Sequence, residues 1–359
     1  MSTQIDLTRF ENQIALIIPA YEPDEQLPEL IRVIRQDYKG HILIINDGSG
    51  HDYDTYYDQV KELGCDVFTH YRNMGKGRAL KNSFNYALSH YPGLLGVVTA
   101  DSDGQHTPTD IYRCMEMLYD NQDSLVLGCR NFTGDNVPKK SKVGNNFMNV
   151  AANLLCGVKV SDTQTGLRGI PAKFMAYLMD VKGERFEFET WMLIEAKDKF
   201  PFKEVSIDTV YDSVDNHKTH FNAIKDSWKI VKILLEVFAK FTFSSLSSSV
   251  IDIALFTVFC NIFISIPTYY ILISTVLARL ISASYNYIIN YKIVFNSNQK
   301  HGKALGRYII LAIIQMALSG VFVTGLVSLL PMIHHTLIKV VVDIILFMIS
   351  FVIQRKFVF

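Results

Sequence analysis

The stretch LLGVVTADSDGQH, residues 94–106, decides how the first half of the chain is read. Its apolar run Leu94–Ala100 has the length of a buried strand and stops at the polar turn Asp101-Ser102-Asp103-Gly104. Similar units precede it. Ile14–Ile18 ends at Pro19-Ala20-Tyr21-Glu22-Pro23, and His41–Ile45 ends at Asn46-Asp47-Gly48-Ser49. Asp66–His70 leads into Asn73-Met74-Gly75-Lys76-Gly77-Arg78. Between these runs, Gln26–Gln36, Tyr53–Leu63 and Gly77–Ser89 carry helical periodicity. Strands alternating with helices predict an α/β domain of Rossmann-like order, with a mostly parallel sheet covered on both faces. Such sheets bind ligands outside the carboxyl ends of their strands. Pro19–Glu22, Asp47, Asn73–Arg78 and Asp101–Asp103 all fall on that edge.

Two carboxylates two residues apart at a strand end, Asp101 and Asp103, suit a hard divalent cation and leave positions for phosphate and water. An EF-hand is excluded, because Gln105 and Tyr112 stand where that loop needs its fifth and twelfth ligands. The glycine-rich run 73–78 opens a helix and can bring backbone N–H groups and Lys76 to a phosphate. It has neither Walker nor dinucleotide spacing. Further along, Gly128-Cys129-Arg130, Lys139-Lys140-Ser141-Lys142 and the loop Asp162–Gly169 with Arg168 offer positive charge for an anion. Glu184–Glu189 combines acids with aromatics ahead of a helix at Trp191–Asp198. Each of these also reads as a plain surface loop.

The 359 residues balance 35 Lys+Arg against 35 Asp+Glu, which argues against a nucleic-acid partner. The balance is a sum of opposites. From Lys240 onward there are 9 basic and 2 acidic residues; the first 239 hold 26 basic and 33 acidic. Four apolar stretches follow Lys240, near Phe241–Phe263, Tyr269–Ile289, Tyr308–Leu330 and Thr336–Ile353, each close to the ~20 residues a membrane helix needs. Basic residues gather before the first, between the second and third, and after the fourth. The positive-inside rule then predicts a multi-pass cell-membrane protein with cytoplasmic N- and C-termini. Polar Met1–Gln13 shows no signal-peptide pattern, which agrees with that orientation. Asp252, Arg279 and Asp343 lie inside these stretches, either as an Asp–Arg pair joining helices or as a polar site for a lipid phosphate. His334 and His335 fall in an outer turn. Ala223–Phe241 is amphipathic and predicts a helix lying in the membrane interface. Five scattered cysteines, Cys65, Cys114, Cys129, Cys156 and Cys260, form no metal or disulfide spacing and read as free thiols.

Taken in order, PAYE (19–22), NDGS (46–49), NMGKGRAL (73–80), DSDGQH (101–106), GCRN (128–131), DTQTGLRG (162–169), FEFET (186–190) and THFNAIKDSWKI (219–230) resemble the inverting family-2 glycosyltransferases of the polyprenyl-phosphate sugar synthase type, relatives of dolichyl-phosphate mannose and glucose synthases. The resemblance covers about residues 14–232. The last 120 residues resemble the four-helix GtrA-type membrane domain, on Asn286-Tyr287, Asn290-Tyr291-Lys292 and the terminal Gln354–Phe359. Two departures stand out: Tyr-Glu-Pro in the first turn where many relatives have Tyr-Asn-Glu, and Asn46 where an Asp is common.

The resemblance implies a GT-A catalytic domain over 1–222, an interface helix over 223–240 and a four-helix transmembrane bundle over 241–359. It implies a nucleotide diphospho-sugar donor, with UDP-glucose or UDP-GlcNAc favoured, held by Pro19, Tyr21, Glu22, Asp47, Lys76, Asp101 and Gln105. Mg²⁺ or Mn²⁺ on Asp101 and Asp103 would stabilise the leaving diphosphate. A polyprenyl (undecaprenyl) phosphate acceptor would be positioned by Arg130, Lys140, Lys142 and Arg168, with Asp101, Asp103, Arg130 and Arg168 the catalytic set. The acceptor is already an anion, so a single inverting displacement needs no strong base. The lipid bilayer is a further partner, and the membrane domain offers a route to homo-oligomers. Two rivals remain. A processive polysaccharide synthase expects a Q-x-x-R-W motif, which neither Gln164–Arg168 nor Asp226-Ser227-Trp228 forms. A lipid-linked sugar translocation protein with a regulatory nucleotide domain would not need intact Asp47, Asp101, Asp103 and Arg168.

Overall fold

Long apolar runs in the first half become the middle of a sheet. The computed structural model describes residues 5–130, 139–207, 223–263, 265, 270–295, 297, 299–330 and 332–359. The chain divides into two units, Met1–Val231 and Lys232–Phe359. In the first, seven strands, β1 (Ile14–Ala20), β2 (Ile42–Asn46), β3 (Asp66–Thr69), β4 (Gly96–Thr99), β5 (Leu125–Arg130), β6 (Arg168–Pro171) and β7 (Phe202–Ile207), form one sheet in the order β3-β2-β1-β4-β6-β5-β7. All neighbours pair in parallel except β6, which runs antiparallel to both β4 and β5. The helices are α1 (Gln26–Asp37), α2 (Asp54–Glu62), α3 (Lys76–His90), α4 (Pro108–Asp120), α5 (Lys139–Ala151), α6 (Ala172–Leu178) and α7 (Glu187–Ala196).

Central β2 and β4 are buried at every position, as expected of strands covered on both faces. Leu16 and Ile18 of β1 pack with Leu27, Ile31 and Ile34 of α1 and with Ile111, Met115 and Leu118 of α4. Two local devices then place the functional edge. The Thr107 hydroxyl accepts the Asp110 N–H at 3.2 Å, and Pro108 opens α4, so the chain turns into a helix directly after DSDGQH. Gly75, with φ +97°, starts α3 where a β-carbon would stand 2.5 Å from the Glu184 carbonyl oxygen, so only glycine fits. The antiparallel β6 matters equally. Pairing Arg168 with Thr99 carries residues 162–167 back to the carboxyl end of β4.

The second unit is helical. α8 (Ala223–Ile262), α9 (Tyr270–Ile289), α10 (His301–Leu329) and α11 (His335–Ile353) provide four segments long and apolar enough to cross a membrane, Val231–Ile262, Tyr270–Val294, His301–Leu329 and Leu337–Val358. Ile253, Leu280, Ile313, Val321 and Ile344 are exposed, the pattern of side chains that face lipid. The third helix begins seven residues before the apolar run expected from Tyr308, because Lys303 and Arg307 extend a helix into the headgroup level without breaking it. The expected boundary at 240/241 has no counterpart in the backbone. Residues 223–262 contain neither Gly nor Pro, and they form one helix of 40 residues. The side chains of 223–230 lie outside the described residues.

The intramembrane charges are paired. Arg279 meets Asp252 at 3.1 Å across α8 and α9, and the Ser282 hydroxyl donates to the same carboxylate at 2.8 Å. Asp343 pairs with Lys339 at 2.8 Å within α11 and accepts from the Ser319 hydroxyl of α10 at 2.7 Å. The Asp–Arg reading thus describes Asp252; Asp343 uses a lysine.

Candidate active site

Because β2, β1 and β4 are neighbours, the turns after them stand side by side at one sheet edge. After β1, Glu22 has φ +49°, a conformation that costs free energy in a non-glycine residue and recurs at functional sites. Its N–H donates to the Ser49 hydroxyl at 2.8 Å. The Ser49 N–H donates to the Asn46 side-chain oxygen at 2.8 Å, a bond that an amide makes as well as a carboxylate. A hydrogen bond to Glu22 pushes the Tyr21 hydroxyl up, which places these two predicted nucleotide-binding side chains together. Pro19 lies one residue before the end of β1.

The centre of the site is a cluster around Lys76. Its ammonium lies 2.7 Å from Asp101 Oδ1 and 3.0 Å from Glu189 Oε1, at the first residue of α3. Burial disfavours that charge, but Asp101 and Glu189 outweigh it and raise the lysine above its ordinary range. Burial likewise opposes the Asp101 charge, yet Lys76 and His106 hold its carboxyl well below the usual carboxylate range. His106 Nε2 stands 3.7 Å from Asp101 Oδ2, and its buried Nδ1 has no partner among the described residues. Asp103 moves the other way: burial and then the Asp101 charge raise it. The Gln105 N–H donates to Asp103 at 3.1 Å. Gly166, brought in by β6, lies against Asp101. A β-carbon there would meet Asp101 Oδ2 and stand 2.7 Å from its Cγ.

This donor set fits a hard divalent cation. Two carboxylates share one turn, and each disfavours the charge of the other unless a cation lies between them. Among the described residues no three His, Cys, Asp or Glu side chains gather to hold a metal, so a cation on this pair would complete its shell with oxygens from phosphate or water.

Other predicted residues have different employment. Asp47 is 3% exposed and both its oxygens are engaged inside the protein. Oδ1 accepts from the Met74 N–H at 2.9 Å and lies 2.7 Å from His70 Nδ1, while Oδ2 accepts from the Gly75 N–H at 2.7 Å. The Arg78 N–H goes to the Glu184 carbonyl at 3.0 Å. The backbone donors expected to cradle a phosphate at 74, 75 and 78 are therefore turned to protein acceptors, and the loop's contribution is the Lys76 ammonium. Asp47 positions that loop through both of its oxygens.

The two arginines expected at an acceptor phosphate both pair with groups of the protein itself, and Arg130 remains a quarter exposed. Arg130 forms a bidentate pair with fully buried Asp162, at 2.7 and 3.0 Å. Arg168 is 1% exposed in the middle of the sheet. It donates to the carbonyls of Thr165 at 2.8 Å and Glu189 at 2.6 Å, and desolvation lowers its pKa. Arg168 thus ties the 163–166 loop to the start of α7, behind Asp101 and Glu189. Lys140 and Lys142 belong to the start of α5, and their side chains lie outside the described residues. Replacing Arg168 by Met orphans two buried carbonyls and should cost on the order of 3 kcal/mol. A lowered midpoint of denaturant unfolding checks this. An unchanged midpoint with a raised acceptor KM would return Arg168 to the acceptor site.

Glu189, His106, Asp162 and Gly166 complete the site without having been singled out for a role. His106 shares its motif with its partner Asp101, whereas Glu189, Asp162 and Gly166 meet partners in distant motifs, and spacing carries no signal of those pairings.

Residues 15–178 match glycosyl transferase family 2, and residues 240–359 match the GtrA/DPMS transmembrane domain. The UDP-N-acetylglucosamine–dolichyl-phosphate N-acetylglucosaminyltransferase of Methanococcus voltae is 30% identical over 220 residues, 55% of this chain and 86% of the relative. An undecaprenyl-phosphate 4-deoxy-4-formamido-L-arabinose transferase of an Enterobacter species is 30% identical over 120 residues, 31% of this chain and 35% of the relative. Among solved structures, glucosyl-3-phosphoglycerate synthase of Mycobacterium tuberculosis in complex with UDP aligns with a TM-score of 0.49 at 16% identity, over 66% of this chain and 85% of that one.

Proposed function

Since this chain belongs to glycosyl transferase family 2, among the polyprenyl-phosphate sugar transferases with a GtrA/DPMS transmembrane domain, we propose that it moves a sugar from a UDP-sugar of the glucose or N-acetylglucosamine type to a polyprenyl phosphate. Transfer takes place at the cytoplasmic face of the cell membrane and inverts the anomeric configuration. The carrying observation is the Lys76–Asp101–Glu189 cluster beside Asp103 at the carboxyl edge of the sheet. The UDP reading is supported by the M. voltae relative, whose name carries that donor.

Asp101 and Asp103 would hold Mg²⁺ or Mn²⁺, which supplies Lewis-acid stabilisation of the departing diphosphate. Lys76 offers a second positive charge to the same phosphates, and Glu189 keeps its ammonium at this edge. Pro19, Tyr21 and Glu22 shape the nucleoside end, and Gln105 adds an amide beside Asp103. The acceptor oxygen is an anion before reaction begins, so the protein's task is placement in line with the anomeric carbon. Arg130, a quarter exposed beside Asp162, and Lys140 and Lys142 are the candidates for that placement. In this reading the first span continues the helix that begins at Ala223, and the four spans anchor the catalytic unit to the membrane that holds the acceptor.

Nucleotide binding tests the donor side. UDP with Mn²⁺ should raise the unfolding midpoint of the full chain, by about 2.7 kcal/mol of stability at a hundredfold excess over Kd. Chelation should remove the effect and GDP should give much less. An equal rise with GDP, or one that survives chelation, would overturn the UDP and metal assignments.

A further inference from the structure

Asp47 holds the glycine-rich loop, and the structure shows what holds Asp47. His70 follows directly after β3 and is 5% exposed. Its amide donates to the Asn46 carbonyl at 2.9 Å, which continues the pairing of β3 with β2 and sets the ring beside Asp47. The Phe68 ring meets it edge-on, with centroids 5.5 Å apart. Nδ1 lies 2.7 Å from Asp47 Oδ1, and Nε2 lies 2.9 Å from the side-chain amide nitrogen of Asn82 on α3. An amide nitrogen can only donate, so Nε2 accepts and the ring's proton sits on Nδ1. From there it is donated to the carboxylate, a charge-assisted bond of the stronger kind.

Helix α3 is thereby tied to the end of β2 twice. One tie is direct, through the Met74 and Gly75 amides just before the helix starts at Lys76. The other runs from Asn82 through His70 to the same carboxylate. Asn82 stands about 9 Å beyond Lys76 along the helix, so the two ties fix its direction as well as its start. Lys76 is the residue they place, with its ammonium 2.7 Å from Asp101. Of the partners of the Asp47 carboxylate among the described residues, His70 is the one outside the loop. Without it the carboxylate has no fixed point against which to hold the two amides.

We propose that His70 is a positioning residue: it fixes the Asp47 carboxylate and, through the loop, sets Lys76 for the diphosphate of the donor. The identity of that phosphate rests on the reading above. Asparagine and glutamine separate this role from packing. The Asn amide nitrogen stands where histidine has Nδ1, whereas the Gln amide reaches the place of Nε2. Both substitutions remove the ring and its contact with Phe68. His70→Asn keeps a donor for Asp47, and His70→Gln keeps only a partner for Asn82.

The test is hydrogen exchange of the full chain in lipid nanodiscs, read over residues 71–76 without nucleotide, alongside binding of UDP and of uridine in Mn²⁺. His70→Gln should speed exchange in this segment about tenfold, equivalent to 1.4 kcal/mol, and weaken UDP about tenfold while uridine is unchanged. His70→Asn should stay within about twofold of the native chain in both readouts. Equal effects of the two substitutions (global unfolding of both included), unchanged exchange in His70→Gln, or an equal loss for uridine would overturn the proposal. Exchange is read without nucleotide, so it does not depend on the donor. A native chain that binds no UDP but shows the expected exchange pattern would count against the donor reading and leave the hold of His70 on the loop standing.

Discussion

Asp101→Asn is expected to lower sugar transfer about a thousandfold while the protein remains folded, and Asp103→Asn should do the same. The substitution keeps the shape of the side chain and removes its charge. In the native protein that charge lies 2.7 Å from Lys76 and beside His106. Without it Lys76 leans on Glu189 alone, and the cation site is reduced to Asp103. Asp103 should then ionise more readily, since the Asp101 charge helps to raise it. Restored ionisation of one carboxylate does not restore a two-carboxylate site. The loss should therefore appear in kcat, with a weakened apparent affinity for Mn²⁺, and circular dichroism and gel filtration should be unchanged. Residual transfer within tenfold of the native rate would remove Asp101 and Asp103 from the reaction.

Gly166→Ala should cost about a hundredfold through the same carboxylate, without touching any charge. The added methyl would meet Asp101 Oδ2 and stand 2.7 Å from Cγ and 2.8 Å from Oδ1, closer than real side chains approach. Gly166 is held in place by the Thr99 hydroxyl, which donates to its carbonyl at 2.9 Å, and by the pairing of β6 with β4. The backbone is therefore the stiffer partner and the carboxylate must turn away from Lys76. A shift on the order of 1 Å at a group that places the reacting phosphates is enough for that loss. The two sites are in contact, so their effects should not add. The double variant Asp101→Asn/Gly166→Ala should transfer no more slowly than Asp101→Asn alone. A multiplicative double variant would mean that Gly166 acts by another route.

The sheet's first half was legible because its signals are local. Ile14–Ile18, His41–Ile45, Asp66–His70 and Leu94–Ala100 correspond to β1 through β4, each ending in a polar turn. β6 was not, since Arg168-Gly169-Ile170-Pro171 is short and mixes glycine and proline with a buried arginine. That missed strand is why the surroundings of Arg168 were not readable. In an open polar loop an arginine is a phosphate ligand; at the centre of a sheet its donors go to the carbonyls of Thr165 and Glu189. Arg130 illustrates the same limit, because nothing near it in sequence reveals buried Asp162 as its partner. The Asp101–Asp103 turn and Lys76 were readable as motifs, whereas their convergence with Glu189 depends on packing of α7 against α3. The resemblance to family 2 and to the GtrA-type domain was carried by the order of these motifs, and both family matches bear it out.

The most direct measurement incubates the purified full chain with undecaprenyl phosphate, Mg²⁺ or Mn²⁺, and a panel of UDP-, GDP- and dTDP-sugars. The account predicts a sugar-phosphate lipid from a UDP-sugar, with nucleoside diphosphate released in equal amount and an α-linked donor converted to a β-linked product. A folded, metal-binding protein that yields no lipid-linked sugar from any donor, or a product that retains the donor's anomeric configuration, would contradict it.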